Sequence, residues 1–307
     1  MNIRKAKQSD LSGILEVLKA SLGETSSKKT EEVWNYKHSE NPFGNSFVLV
    51  AEENNEIIGV RAFMRWQWQK GDKTFDAFRA VDTATHPSHQ GKGIFKKLTL
   101  KALELGKAEG NHFIFNTPNS QSKPGYIKMG WQEVDQIKVS IRPAFNLLYS
   151  KRHMNEVNTS EEIDELTLQK FLDLKTTSNR LFTRKTANFL RWRYKDCALQ
   201  DYLIFEDKDL FVAAYLKQRG KIRELRVSEA IFLDNVQLKR ITKVIQSWSK
   251  DSKAHIISSS PGVFNSSITG NIGPVLTVKE LNLEKNYTQE ILSLKSWDYS
   301  LGDLELF

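Results

Sequence analysis

What this chain can fold into is constrained above all by one tetrapeptide, Gln90-Gly91-Lys92-Gly93, set between an apolar stretch and an amphipathic one. Before it, residues 75–85 read as a strand that ends at His86-Pro87. After it, Ile94, Leu98, Ala102 and Leu105 make one helical stripe, while Lys96, Lys97, Lys101 and Glu104 face elsewhere. A helix N-terminus presents N–H groups that have no intrahelical acceptor, and the macrodipole adds roughly half a positive charge. Glycine, lacking Cβ, lets such a turn bring its backbone close to an anion. The arrangement predicts a pyrophosphate site, with Lys92 and Lys96 or Lys97 adding diffuse attraction. Two other phosphate loops do not fit: a dinucleotide GxGxxG needs glycine where Lys96 stands, and a P-loop needs Gly-Lys-Ser/Thr. Gly-x-Gly alone also suits a plain strand-to-helix turn, so its context carries the weight.

That context is a succession of short elements. Ile3 to Ala6 reads as a strand, and Ser9 or Asp10 can cap a helix bearing Leu11, Ile14, Leu15 and Leu18. A second helix covers Glu31 to His38 and is broken by Asn41-Pro42-Phe43-Gly44. Residues 47–51 and 57–63 form a hairpin about the polar turn at 53–56. His112 to Asn116 is a short strand, a Pro/Asn/Ser-rich turn leads to Tyr126-Ile127-Lys128-Met129-Gly130-Trp131, and a final strand runs from Val134 to Ile141.

This series resembles the GNAT acyltransferase superfamily across residues 1 to 142. The family's signature is Gln/Arg-x-x-Gly-x-Gly/Ala followed by Tyr-x-Lys-x-Gly-aromatic, matched here by Gln90 to Phe95 and Tyr126 to Trp131. The resemblance implies a mixed, mostly antiparallel α/β (α+β) sheet flanked by helices, and acetyl-CoA or another acyl-CoA as co-substrate without a metal. Carried over residue by residue, Gln90 and the amides of Gly91, Lys92, Gly93, Ile94 and Phe95 would hold the pyrophosphate. The backbone of Thr83, Ala84 and Thr85 would pair with the pantetheine arm, and Asn119 would steady its end. Phe95 departs from the pattern, standing where glycine or alanine is usual, and must point into the core to leave room for the phosphates.

Acyl transfer to an amine needs a neutral nucleophile and a proton for the departing thiolate. An alkyl amine with a pKa near ~10.4 loses its proton at neutral pH at a cost of about 4–5 kcal/mol. A backbone N–H from the opened strand can polarise the thioester carbonyl. Tyr126 matches the family's general acid; a tyrosine before Gly-Trp can also simply pack a helix on the sheet. Asp82, with Asp76 as the alternative, is the candidate general base. His86 and His89 suit surface roles, and His112, which opens a strand, a structural one.

At 307 residues the chain is long enough for two domains. The expected division is 1–145, the acyl-CoA-binding catalytic domain, and 160–307, a degenerate copy, with the acid-rich segment from Lys151 to Glu165 as linker. The second half echoes the first. Trp34-Asn35-Tyr36-Lys37-His38 is matched by Trp192-Arg193-Tyr194-Lys195-Asp196, and His112 to Pro118 by His255 to Pro261 at an offset of 143. That offset sets Gly273 on Gly130 and Thr269 on Tyr126, and no Gly-x-Gly precedes the helix near 236–248, so the second half is expected to bind no CoA. An acceptor site is expected in the interdomain groove, where Trp66, Trp68, Arg191 and Arg193 either line it or serve packing and surface.

The net charge of +8 could favour a polyanion, but the basic residues are scattered in pairs with acids between them. Nucleic acid is therefore not the expected partner. The single cysteine, Cys197, can form no internal disulfide, and there is no signal peptide or membrane span, which reads as cytoplasmic. The expected reaction is acyl transfer from acyl-CoA to a primary amine on a small molecule, an amino sugar by analogy, in a ternary complex with Tyr126 as general acid. An aminoacyl-tRNA-dependent transferase of related double fold and a non-catalytic acyl-CoA-binding module are the alternatives.

Overall fold

The second hairpin strand is buried along most of its length because helices cover both faces of the sheet, so its sequence reads as a run of apolar residues. In the computed structural model, which describes residues 1–24, 28–144, 162–264 and 266–304, the first half comprises β1 (Asn2–Lys5), α1 (Leu11–Leu22), α2 (Glu31–His38), β2 (Phe47–Glu53), β3 (Glu56–Lys70), β4 (Lys73–Thr85), α3 (Ile94–Ala108), β5 (Phe113–Asn116), α4 (Lys123–Lys128) and β6 (Gln132–Pro143). The second half comprises α5 (Glu165–Thr177), α6 (Ala187–Leu190), β7 (Leu203–Asp207), β8 (Leu210–Arg219), β9 (Ile222–Ile231), α7 (Asn235–Asp251), β10 (Ile256–Ser259), β11 (Ile268–Glu280), α8 (Lys285–Ile291) and α9 (Leu301–Leu304). The expected linker falls mostly on residues 145–161, outside the described residues.

Among the described residues the strands form one sheet in the order β1-β2-β3-β4-β5-β11-β6-β10-β9-β8-β7. From β2 to β7 this order is a palindrome: β2 answers to β7, β3 to β8, β4 to β9 and β5 to β10. The two central strands have changed places. β11, from the second half, pairs with β5, while β6, from the first half, pairs with β10. A cut at residues 145–160 therefore divides the sequence without dividing the sheet.

The repeat is visible in single hydrogen bonds. In each half one parallel pair joins a long strand to a short one, Ala77 opposite Phe113 and Glu224 opposite Ile256. His112 Nδ1 accepts the Asp76 N–H at 3.0 Å, and His255 Nδ1 accepts the Arg223 N–H at 2.9 Å. Both histidines thus fix the start of a strand. A bulge also recurs, between Arg61 and Ala62 in the β3–β4 register and between Ala213 and Ala214 in the β8–β9 register. The correspondence of Gly273 with Gly130 and of Thr269 with Tyr126 does not hold. Fifteen residues separate β5 from β6 but only eight separate β10 from β11, so Thr269 and Gly273 already lie within β11.

The largest core joins the halves. Trp66 and Trp68 of β3 are buried beside Phe115, Phe189, Trp192 and Trp297, so the tryptophans are packing residues rather than groove lining. Trp66 Nε1 donates to Thr183 Oγ1 at 3.0 Å, and Trp192 Nε1 donates to the Tyr36 carbonyl at 2.8 Å. Each matched Trp-x-Tyr segment therefore meets the other, Tyr36 stacking on Trp192 with ring centres 5.4 Å apart. Arg193 is buried and donates to the Gly302 carbonyl; Arg191 is exposed.

Helix α9 lies against β9 beyond the point where β9 leaves β10. A Cβ added at Gly302 would collide with the Tyr194 hydroxyl and come within 3.2 Å of the Ser228 carbonyl. Gly302→Ala is expected to destabilise the protein by about 1–3 kcal/mol through overpacking, measured as a lower midpoint in urea unfolding with an unchanged slope.

Candidate active site

The β4–β5 pairing stops at Arg79 opposite Phe115, and beyond it the two parallel strands part. The gap opens a cleft of about 960 Å³, within the range of ligand sites. One wall is residues 80–85 of β4, the other is residues 116–119 after β5, and the floor includes Phe95, Gly125 and Tyr126. All described lining residues lie between Ser21 and Tyr126. The expected interdomain groove is therefore not where this cleft lies. The second half backs the far wall instead: Thr277 Oγ1 donates to Asn116 Oδ1 at 2.6 Å, and Thr117 Oγ1 donates to the Leu304 carbonyl at 3.4 Å.

At one end of the cleft, Gly91 and Gly93 take φ of 77° and 73°, a region that side chains bearing Cβ rarely enter. A Cβ at either glycine would meet only open space, so backbone conformation is the reason for glycine here. No side chain caps α3, and no described group accepts from the N–H groups of Gly91 to Lys96. Gly91, Gly93, Ile94, Phe95 and Lys96 line the cleft, as do Thr83, Ala84, Thr85 and Gln90. Gln90 Nε2 donates to the Thr85 carbonyl at 3.2 Å, tying the turn to the strand end. Lys92 is absent from the lining; its ammonium turns outward to His89, 3.4 Å from Nδ1.

As expected, Phe95 packs against the core cluster that includes Phe63, Ile94 and Tyr126, while still lining the cleft. Its ring stands edge-on to Tyr126, with centres 5.7 Å apart, and fills the space above Gly125, where a Cβ would lie 3.1 Å from Phe95 Cε1. The bulky residue is thereby accommodated below the α3 amides. Asn119 also lines the cleft, but its carboxamide oxygen accepts from the Gln121 and Ser122 N–H groups at 3.1 and 2.9 Å and so shapes the turn into α4. Only its Nδ2 remains for a ligand.

The bulge in β4 places the remaining groups. Arg61 pairs with Thr83 and Ala62 with Val81, so Asp82 is the extra residue, held at φ 37°. Thr83 consequently faces α3, where its hydroxyl accepts from Arg61 Nη1. Arg61 Nη1 also donates to Tyr126 Oη at 2.7 Å. Asp82 turns instead to α2. Its Oδ2 accepts from Lys37 Nζ and from His38 Nε2, the latter at 2.9 Å, and His38 Nδ1 lies 2.8 Å from Ser46 Oγ. Burial lowers the proton affinity of His38, which makes it neutral, with Nε2–H donating to Asp82. Burial alone would raise the Asp82 carboxyl, but Lys37 and His38 together outweigh it and hold Asp82 far below the usual carboxylate range. A carboxylate engaged by both groups on one oxygen is thereby weakened as a proton acceptor. Asp76 lies elsewhere, hydrogen-bonded to Gln67 at 2.9 Å. Lys29 lines the cleft on the same side, its ammonium lowered by burial against the pull of Asp82.

Residues 2–134 match the family described as an acetyltransferase (GNAT) domain. Those residues form a GNAT acetyltransferase domain. An L-methionine sulfoximine/L-methionine sulfone acetyltransferase of Salmonella typhimurium is 33% identical over 78 residues, 24% of this chain and 42% of that protein. The L-amino acid N-acyltransferase MnaT of Escherichia coli is 33% identical over 79 residues, 25% of this chain and 42% of that protein. The chain thus spans about two fifths of the length of these relatives. Over the whole fold it is similar to a GCN5-related N-acetyltransferase of Anabaena variabilis, with a TM-score of 0.67 at 12% identity, covering 92% of this chain and 73% of that one. The second half therefore belongs to a fold seen before, with strands β7 to β11 arranged as a duplicated GNAT-like sheet.

Sequence reading missed Lys29, Lys37, His38 and Arg61. For Arg61 there was a signal: a charged residue in the middle of the apolar run Ile57 to Phe63. Asp82→Asn would leave Lys37 buried without its counter-charge, and it is expected to cost at the low end of ~3–5 kcal/mol at neutral pH. Because the folded carboxyl lies below its ordinary value, its contribution is complete above about pH 4 and fades on acidification. Unfolding of both proteins at pH 7 and pH 3 should show the difference shrinking at the lower pH.

Proposed function

We propose that the chain transfers an acyl group, most simply acetyl, from acyl-CoA to the primary amine of an α-amino acid. The open amides of Gly91 to Lys96, ahead of a helix stripped of any internal cap, carry this reading. They offer a pyrophosphate a ready anion site. The splayed edge of β4 from Val81 to Thr85 offers backbone partners to an extended pantetheine arm, and residues 116–119 form the opposing wall. Acetyl-CoA supplies the activated thioester.

The cofactor side and the acceptor side lie on opposite faces of the sheet. Arg61, Thr83 and Tyr126 gather on the α3 side, while Asp82, Lys37 and Lys29 gather on the side of α2. An amine entering past α2 meets the paired Asp82, whose Oδ1 has no described protein donor and can orient an ammonium. Lys29 and Lys37 give the same end positive charge, which suits an acceptor that also bears a carboxylate. This favours an amino acid over the amino sugar expected by analogy, and the names of the two partial relatives point the same way. In the reaction the amine nitrogen forms a bond to the acyl carbon, the C–S bond breaks, and the thiolate takes the Tyr126 hydroxyl proton. With Asp82 committed to its ion pair, the proton of the incoming ammonium leaves to water in the cleft mouth.

A thiol-release assay with acetyl-CoA should show turnover with α-amino acids such as methionine sulfone, and little with amino sugars or polyamines. Tyr126→Phe should lower kcat by about 100-fold while the acetyl-CoA Kd, from calorimetry, changes less than about twofold. Turnover of Tyr126→Phe at the native rate would remove the general-acid assignment.

A further inference from the structure

Arg61 is fully buried, on a strand whose neighbours are otherwise apolar. Among the described residues its guanidinium has no carboxylate partner. Nη1 serves both Thr83 Oγ1 and Tyr126 Oη, whereas Nε and Nη2 are buried with no hydrogen bond among the described residues. The plane is held instead by aromatic faces, 4.5 Å from the centre of Phe63, 5.2 Å from Tyr126 and 5.8 Å from Phe95. Burying a cation in this way is expensive, and a merely structural filler of the same shape would be apolar. Phe95, at the position where the family has a small residue, closes the cage around both side chains.

Resting on the general-acid reading above, we propose that Arg61 is the positioning residue that makes Tyr126 a proton donor. Because a guanidinium can only donate, it occupies a lone pair of the phenol oxygen and leaves the O–H hydrogen directed to the cleft. A phenol ordinarily holds its proton more tightly than a thiol does. When the C–S bond breaks, the proton passes from Tyr126 Oη to the thiolate sulfur. The electron pair left on Oη then lies 2.7 Å from a permanent positive charge in a site of low dielectric constant. Tyr126 recovers its proton from water that has taken the surplus proton of the amine. Thr83 holds the other side of Nη1, so the strand that is to bind the pantetheine arm also sets the direction of the donor.

A double-mutant cycle on the full chain tests this, with acetyl-CoA and the best acceptor of the panel. Arg61→Met removes the charge at similar volume; Arg61→Lys restores a charge without the fork. Arg61→Met is expected to lower kcat at least about 10-fold with the KM for acetyl-CoA within about twofold, and Arg61→Lys to recover part of the loss. In the Tyr126→Phe background, Arg61→Met should change kcat by less than about twofold, because its target is gone. Circular dichroism and the thermal midpoint confirm folding, and Arg61→Gln replaces Arg61→Met should the latter not fold. If Arg61→Met slows the Tyr126→Phe enzyme as much as it slows the native one, or raises KM instead of lowering kcat, the proposal is overturned while the general-acid reading stands. If Tyr126→Phe is itself as fast as the native enzyme, the reading falls and takes the proposal with it.

Discussion

Backbone hydrogen bonding between β6 and β11 is the constraint on which the architecture rests. Each of these strands lies between two strands of the other half, β6 between β11 and β10 and β11 between β5 and β6, so neither half can complete its sheet alone. Unpaired strand edges are costly and invite wrong pairing. Exchange of the last strands closes both internal edges at once, leaving β1 and β7 as the outermost strands. Packing follows from that closure, since Trp66, Trp68, Trp192 and Trp297 fill the volume where the two halves meet.

The same closure explains how the second half, which contributes no lining among the described residues, shapes the site. β11 occupies the free side of β5, so β5 is held from behind while β4 departs on the other side. A single inserted residue at Asp82 then sorts the chemistry of the two faces, sending Thr83 toward α3 and the carboxylate toward α2. The positive φ at Asp82 is an unfavourable backbone state that surroundings must sustain. The contacts from Lys37 and His38 supply that support.

Local features were legible in the sequence wherever the physics is local. Glu31 to His38 was bounded correctly with only the Asn41-Pro42-Phe43-Gly44 break as a guide, and the structure adds the Thr30 hydroxyl as the cap that fixes its start. The phosphate turn was legible because glycines at positive φ and an apolar helical stripe leave marks in the chain itself. The repeat could be seen at His112 and His255, where loop lengths agree, and was misjudged at Thr269, where the intervening loop is shorter. The strand exchange left no trace, for it depends on which edges are free after folding. The ion pair of Asp82 could not be read for a similar reason: its partners are 44 and 45 residues away, and only the fold brings them to it.

The second half retains a parallel strand pair, a bulge and a parting of strands, all the scaffolding from which the first half makes a cleft. There, however, α9 is anchored against β9 by Lys185, Arg79 and Arg193, which grip Asp303 and the carbonyls of Gly302 and Asp303. An engineer wishing to turn this chain into a bifunctional catalyst could not succeed by grafting a glycine turn ahead of α7. The vacancy that a second nucleotide would need has been taken by the polypeptide itself, and evicting it would break the bond by which buried Arg79 of the first half holds the Asp303 carbonyl of the second.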